Sequence, residues 1–188
     1  MKQLNSKQFL IDLKSKLYLL ILIFFIPLSV FNQTKPNFSL KILGVVQDGG
    51  LPHLGSNKLC CQNHEKRRYV TSIMLINNKN NESYLFDASP DINEQLNFMG
   101  ERIKKDLKGI FLTHAHIGHY TGLMYFGREA LNSKSINVYA MPRMKKFLEN
   151  NGPWSQLVSL KNISIKEINN NSKFSIDPNV IIQPIEVP

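Results

Sequence analysis

The 188 residues are 43% hydrophobic and 20% charged, with a formal net charge of +9. A chain of this length buries one ordinary core, and this composition excludes a wholly disordered protein. The basic residues are scattered apart from Lys66–Arg68, Lys104–Lys105 and Lys145–Lys146, without interleaved aromatics, so no nucleic-acid partner is expected.

In chain order, Lys2, Lys7, Lys14 and Lys16 precede the uncharged run Leu17–Phe31, which is followed by polar sequence. A basic segment before a 15-residue apolar run is the pattern of a secretory signal peptide, shorter than the ~20 residues of a spanning helix. Residues 1–33 are therefore expected to be an export signal, with an uncleaved membrane anchor as the alternative, and residues 34–188 the folded domain. Loss of residues 1–33 removes four Lys and one Asp and lowers the net charge from +9 to +6. The expected location is secreted or periplasmic, and the membrane is met only through residues 1–33.

Phe38–Val46 reads as a first strand that runs into the glycine loop around Gly49 and Gly50. The adjacent Cys60 and Cys61 bridge each other only with strain, so a paired thiol site for a metal stands beside a disulfide. Two further strands are predicted over 69–77 and 83–88. A short helix is predicted from an N-cap at Ser89 to Gly100, with Pro90 in the first position and Asp91 only a charge near the cap. Leu107–Thr113 reads as a buried strand, 120–131 as a helix with Leu123, Phe126 and Leu131 inward, and 136–140 as a strand. A helix from Pro142 to a stop at Gly152 and strands over 157–168 and 179–187 complete the pass. Strands alternating with helices and then giving way to strands predict a mixed sheet with helices outside it.

The stretch "THAHIGH" places His114, His116 and His119 at the end of a predicted buried strand. Neutral imidazoles are good Zn²⁺ ligands, and three in one loop make an open metal site. This motif resembles the H-x-H-x-D-H signature of the metallo-β-lactamase superfamily. "LGVVQDGGLPHLG", "LFDASPDINEQL" and "GIFLTHAHIGHYTGL" are similar in order and spacing to its pyrroloquinoline quinone biosynthesis protein B branch.

The resemblance implies an α/β (α+β) αβ/βα sandwich, here truncated at its C-terminus because the chain ends at Pro188 with no His after position 119. It implies that His114 and His116 bind a first Zn²⁺ and His119 a second. Gly118 stands where the superfamily has an aspartate, so the second of one or two zinc sites is expected to be weak or rebuilt. Asp87 matches the strand-end carboxylate beside the site and is assigned to the catalytic group, where it could hydrogen-bond a ligand imidazole or only form a turn. Asp48 and His53, on the glycine loop, are ligand or substrate contacts, or a turn Asp and an exposed His. Cys60, Cys61 and His64 are similar to a structural zinc cluster, one ligand short of a closed shell because Ser56 occupies a cysteine's place. The implied function is an exported metal-dependent hydrolase of a small-molecule ester, amide, lactone or phosphodiester. The alternative is a non-catalytic or oxidative quinone-cofactor biosynthesis or carrier protein of the same fold.

Overall fold

The computed structural model describes residues 11, 14–18, 36–62 and 67–187, the side chains of residues 60 and 62 excepted. The chain divides into two compact units, 1–35 and 36–188. In the first, residues 14–18 are helical, and most of the apolar run read as an export signal lies outside the described residues. Among the described residues no helix is long and apolar enough to cross a membrane.

The second unit is built on a six-stranded sheet in sequential order: β1 (Phe38–Gly44), β2 (Ser72–Asn77), β3 (Glu82–Phe86), β4 (Leu107–Phe111), β5 (Ile136–Ala140) and β6 (Ile163–Glu167). The pairs β1–β2 and β2–β3 are antiparallel, while β3 to β6 run parallel. Two reversals bring β1 back into the direction of β3. The C-terminal ends of β1, β3, β4 and β5 thus all reach one edge of the sheet, where open α/β sheets receive their ligands.

Side chains alternate across each strand, so register decides which residues share a face. Met74, Leu85, Ile110, Val138 and Ile165 are matched in one row across β2 to β6, and all five are buried. This row packs against α2 (Ile92–Leu96), α4 (Pro142–Asn150) and α5 (Trp154–Ser159) through Ile92, Leu96, Met144, Leu148 and Leu157. Burying each such side chain contributes about 1.5–3 kcal/mol, which makes this face the principal core. In α4, Pro142 occupies the first turn and Met144 and Leu148 lie four apart on the inward side. Two short helices, α1 (Leu59–Gln62) and α3 (Ile103–Asp106), complete the set.

The other face carries the matched row Ile73, Phe86, Phe111, Tyr139 and Lys166. Phe111 stacks on Phe86 at 5.2 Å and on Tyr139 at 4.4 Å, and receives the edge of Phe174 from the hairpin of β7 (Phe174–Asp177) and β8 (Val180–Ile182). Toward β1 the same face leaves Leu40 and Ile42 exposed.

Several predicted elements differ. The segment read as a helix over 120–131 is a 3₁₀ stretch, Thr121–Phe126, followed by a turn. Gly122 lies against the Ala88 and Ser89 carbonyls, too close for any Cβ, and its N–H donates to Ala88 O at 2.9 Å. That tertiary bond and the close approach pin the start of the segment against the turn that follows β3. The strand read over 157–168 begins only at Ile163, its first residues being the end of α5, because Leu157 turns into the core beside α4. The predicted 89–100 helix is shortened to α2 and continues as a 3₁₀ stretch that Gly100 breaks at φ 53°. The observed N-cap position is Asp91 rather than Ser89, whose buried hydroxyl accepts from Asp91 N–H at 3.1 Å and donates to Gln95 Oε1 at 2.7 Å.

Asp91 is more than a cap charge. It is 4% exposed, accepts Val70 N–H at 2.9 Å and pairs with Arg67, thereby holding residues 67–70 ahead of β2.

Candidate metal centre

The site begins with a strained residue. Asp87 follows β3 in the left-handed region at φ 66°, a conformation that Asp tolerates better than most residues. The turn is held by its N–H donating to Phe111 O at 2.8 Å and by Ser72 Oγ donating to its carbonyl at 2.9 Å. Its carboxylate, on a residue 5% exposed, is thereby aimed across the sheet edge at the segment that follows β4.

There it gathers three donors. Oδ1 accepts the Thr113 N–H at 2.8 Å, and Oδ2 accepts the Thr113 hydroxyl and His119 Nδ1–H, each at 2.8 Å. An ionised carboxylate has no proton to give, so the Thr113 hydroxyl donates to it. Thr113 Oγ1 lies 2.9 Å from His114 Nδ1 and, with its own proton committed, can only accept there. This accounting sets both tautomers: His114 and His119 carry their protons on Nδ1 and present Nε2 outward, as carboxylate-backed metal ligands do.

The outward nitrogens are paired. His114 Nε2 lies 3.1 Å from His116 Nδ1. Two nitrogens each about 2.0–2.1 Å from one tetrahedral Zn²⁺ stand about 3.3 Å apart, so this pair fits two corners of such a shell. Partial desolvation and then the neighbouring His119 push the His114 pKa down, which favours the neutral ring that coordinates a metal. His119 Nε2 faces Asp48 Oδ1 at 3.1 Å, and Asp48 Oδ2 is 3.7 Å from His116 Nδ1. Among the described residues no group of three or more His, Cys, Asp or Glu is placed to hold a metal ion. The donors come as two pairs, each of which fits part of a shell.

His114 and His116 are exposed and His119 is buried in the 3₁₀ turn Ile117–His119. His53 lies with Gln47, Asp48, Gly49 and His116 along an open groove of about 350 Å³, its Nδ1 3.1 Å from Leu54 O. The structure thus brings His114, His116, His119, Asp87, Asp48 and His53 to one edge. Asp87 lies behind the imidazoles, bonded to Thr113 and to His119 Nδ1. The zinc cluster read at Cys60, Cys61 and His64 falls outside the described residues for His64 and for the Cys60 side chain. Thr113 was not singled out in the sequence, although its place directly before the first motif histidine is the signal that could have found it. A second cavity, of about 310 Å³ between Ile92, Leu96, Ile103, Tyr125 and Phe126, has no carboxylate, imidazole or thiol in its lining.

Comparison with known proteins identifies the family and the fold. A model of the β-lactamase superfamily domain matches residues 82–188, more than half of the chain. Zn²⁺-bound PqqB from Methylobacterium extorquens superposes with a TM-score of 0.66 at 20% identity, covering 79% of this chain and 56% of that one. A diphosphatase from the PhnP family superposes with a TM-score of 0.57 at 21% identity, covering 74% and 53%. Ribonuclease Z of Treponema pallidum is 26% identical over 117 residues, which are 61% of this chain and 34% of the relative. The chain thus spans about a third of the curated relative and about half of the solved structures. With a mixed sheet, outer helices and the histidine loop at the sheet's carboxyl edge, this chain belongs to the β-lactamase superfamily of metallo-β-lactamase-fold hydrolases.

Proposed function

We propose that the protein is a metal-dependent hydrolase in which His114 Nε2 and His116 Nδ1 hold a zinc ion. The observation that carries the reading is their 3.1 Å separation, with the tautomer of His114 set by the Thr113–Asp87 relay. Zinc held there supplies an activated water nucleophile near neutral pH and polarises the carbonyl or phosphoryl oxygen of a substrate. The chain's own part is to hold that constellation still. Asp87 keeps protons on the inner nitrogens, the αL turn fixes its carboxylate, and the parallel strands set the distance between the two loops.

The substrate class that fits best is a phosphoester. Ribonuclease Z and the PhnP-family diphosphatase both act on phosphate groups by name, and the open groove beside His116 and His53 leaves an extended substrate room. The test is metal content together with hydrolysis of bis(p-nitrophenyl) phosphate. Protein purified with Zn²⁺ should retain it and cleave the ester, and His116→Ala should lose both. Retention of full metal content and activity in that variant would refute the assignment.

We also propose that residues 1–33 direct export. The support is the lysine-flanked apolar run Leu17–Phe31. Mass spectrometry of protein from the culture supernatant or periplasm should find an N-terminus near Gln33 or Thr34, whereas an intact Met1 in the cytosol would oppose it.

A further inference from the structure

The motif glycine and the glycine-loop aspartate occupy one space. A Cβ at Gly118 would lie 2.7 Å from Asp48 Cα, 2.8 Å from its Cβ and 3.0 Å from its Cγ. Ordinary carbon contacts are about 3.5–4.0 Å, so no side chain at 118 is compatible with Asp48 where it stands. Gly118 therefore does not leave a gap: its bareness admits the β1 loop and with it a carboxylate.

That carboxylate is aimed at the ring nitrogen of His119 that faces away from Asp87. His119 is 9% exposed, and the hydrogen bond of its Nδ1 to Asp87 fixes the ring so that Nε2 faces the β1 loop. Asp48 Oδ1 lies 3.1 Å from Nε2, close to the separation of two ligands that each stand about 2.0–2.1 Å from one tetrahedral ion. Oδ2 of the same carboxylate reaches toward His116, a ligand of the first ion, at 3.7 Å. A carboxylate with one oxygen toward each imidazole has the disposition of a group that serves two neighbouring cations.

We propose that Asp48 and His119 Nε2 form the chain's part of a second divalent-cation site, with Asp48 supplying from the loop after β1 the carboxylate missing at position 118. This rests on the metal reading of His114 and His116. It turns the expected weak second site into a rebuilt one whose ligand comes from a different loop. It also couples two positions, since any side chain at 118 must displace the Asp48 backbone and remove the ligand.

The test is Co²⁺ titration of the chain, followed by d–d absorption and calorimetry, in wild type, Asp48→Asn, Gly118→Ala and His116→Ala. Near-UV circular dichroism reports whether each variant is folded. Wild type should bind Co²⁺ in two steps. Asp48→Asn should lose one step and keep the other, and His116→Ala should weaken the step that Asp48→Asn keeps. Gly118→Ala keeps the carboxylate but displaces it, so it should reproduce the Asp48→Asn isotherm even if that variant folds poorly. If Asp48→Asn and Gly118→Ala both show the wild-type isotherm while His116→Ala loses an ion, the metal reading stands and the Asp48 site is overturned, with a proton on His119 Nε2 filling the gap instead. If wild type binds no Co²⁺, the metal reading itself fails and takes this site with it.

Discussion

Replacing Asp87 with alanine removes the acceptor for Thr113 N–H, Thr113 Oγ1–H and His119 Nδ1–H in one step. Hydrogen bonds to a charged group contribute about 1.5–3 kcal/mol each, and buried donors left unpaired cost about 1–3 kcal/mol. Thr113 is exposed and its N–H can turn to water, whereas the buried His119 cannot. Alanine also tolerates the left-handed φ of 66° less well than aspartate. Allowing for non-additivity, the loss should be about 3–5 kcal/mol, a large share of the roughly 5–15 kcal/mol that holds a domain together. Urea unfolding followed by tryptophan fluorescence would measure it. Asp87→Asn separates the two roles, because Asn keeps the αL turn and the Thr113 N–H bond while losing the charge that fixes the ring protons. It should cost less stability, about 1–2 kcal/mol, yet weaken Zn²⁺ binding by about 10–100-fold, the range for the loss of an outer partner of a ligand. Unchanged Zn²⁺ affinity in Asp87→Asn would refute the proton relay, whatever the stability.

Thr113→Val keeps the shape but breaks the link from Asp87 to His114 Nδ1. Stability should fall by only about 1 kcal/mol while Zn²⁺ affinity falls about tenfold, and Thr113→Ser should restore both in calorimetry. Asp91→Ala orphans the N–H of Val70, a residue 1% exposed, and should destabilise by about 2–4 kcal/mol in urea unfolding. Arg67→Ala should cost less, since the Arg67 side chain is 56% exposed and the Val70 bond remains. Gly122→Ala drives a methyl into the Ala88 and Ser89 carbonyls and should lower stability by about 3 kcal/mol or more, with a matching fall in thermal midpoint.

The strands were legible where β-branched and apolar residues run together, as in β1, β2 and β4, because a buried strand requires that composition locally. The histidine loop was legible too, since its spacing places the rings near one another whatever the rest of the chain does. What stayed hidden depends on distant partners. The 3₁₀ stretch after the histidines has a helical pattern in Leu123 and Phe126, and only the contact of Gly122 with Ala88 and Ser89 overrides it. Asp91 reads as a helix-start charge until Arg67 and the Val70 N–H surround it. Gly118 reads as a lost ligand because nothing nearby in sequence shows that Asp48 arrives in its place. Thr113 needs both neighbours at once, the carboxylate from β3 and the imidazole beside it, before its hydroxyl has a direction.

The most direct measurement is anomalous diffraction at the zinc edge from crystals of protein prepared with Zn²⁺. The account predicts a peak about 2.0–2.1 Å from both His114 Nε2 and His116 Nδ1, with Thr113 and Asp87 still bonded behind the rings. A map with no peak there, in which His116 donates directly to His114 and the metal lies elsewhere or nowhere, would contradict it.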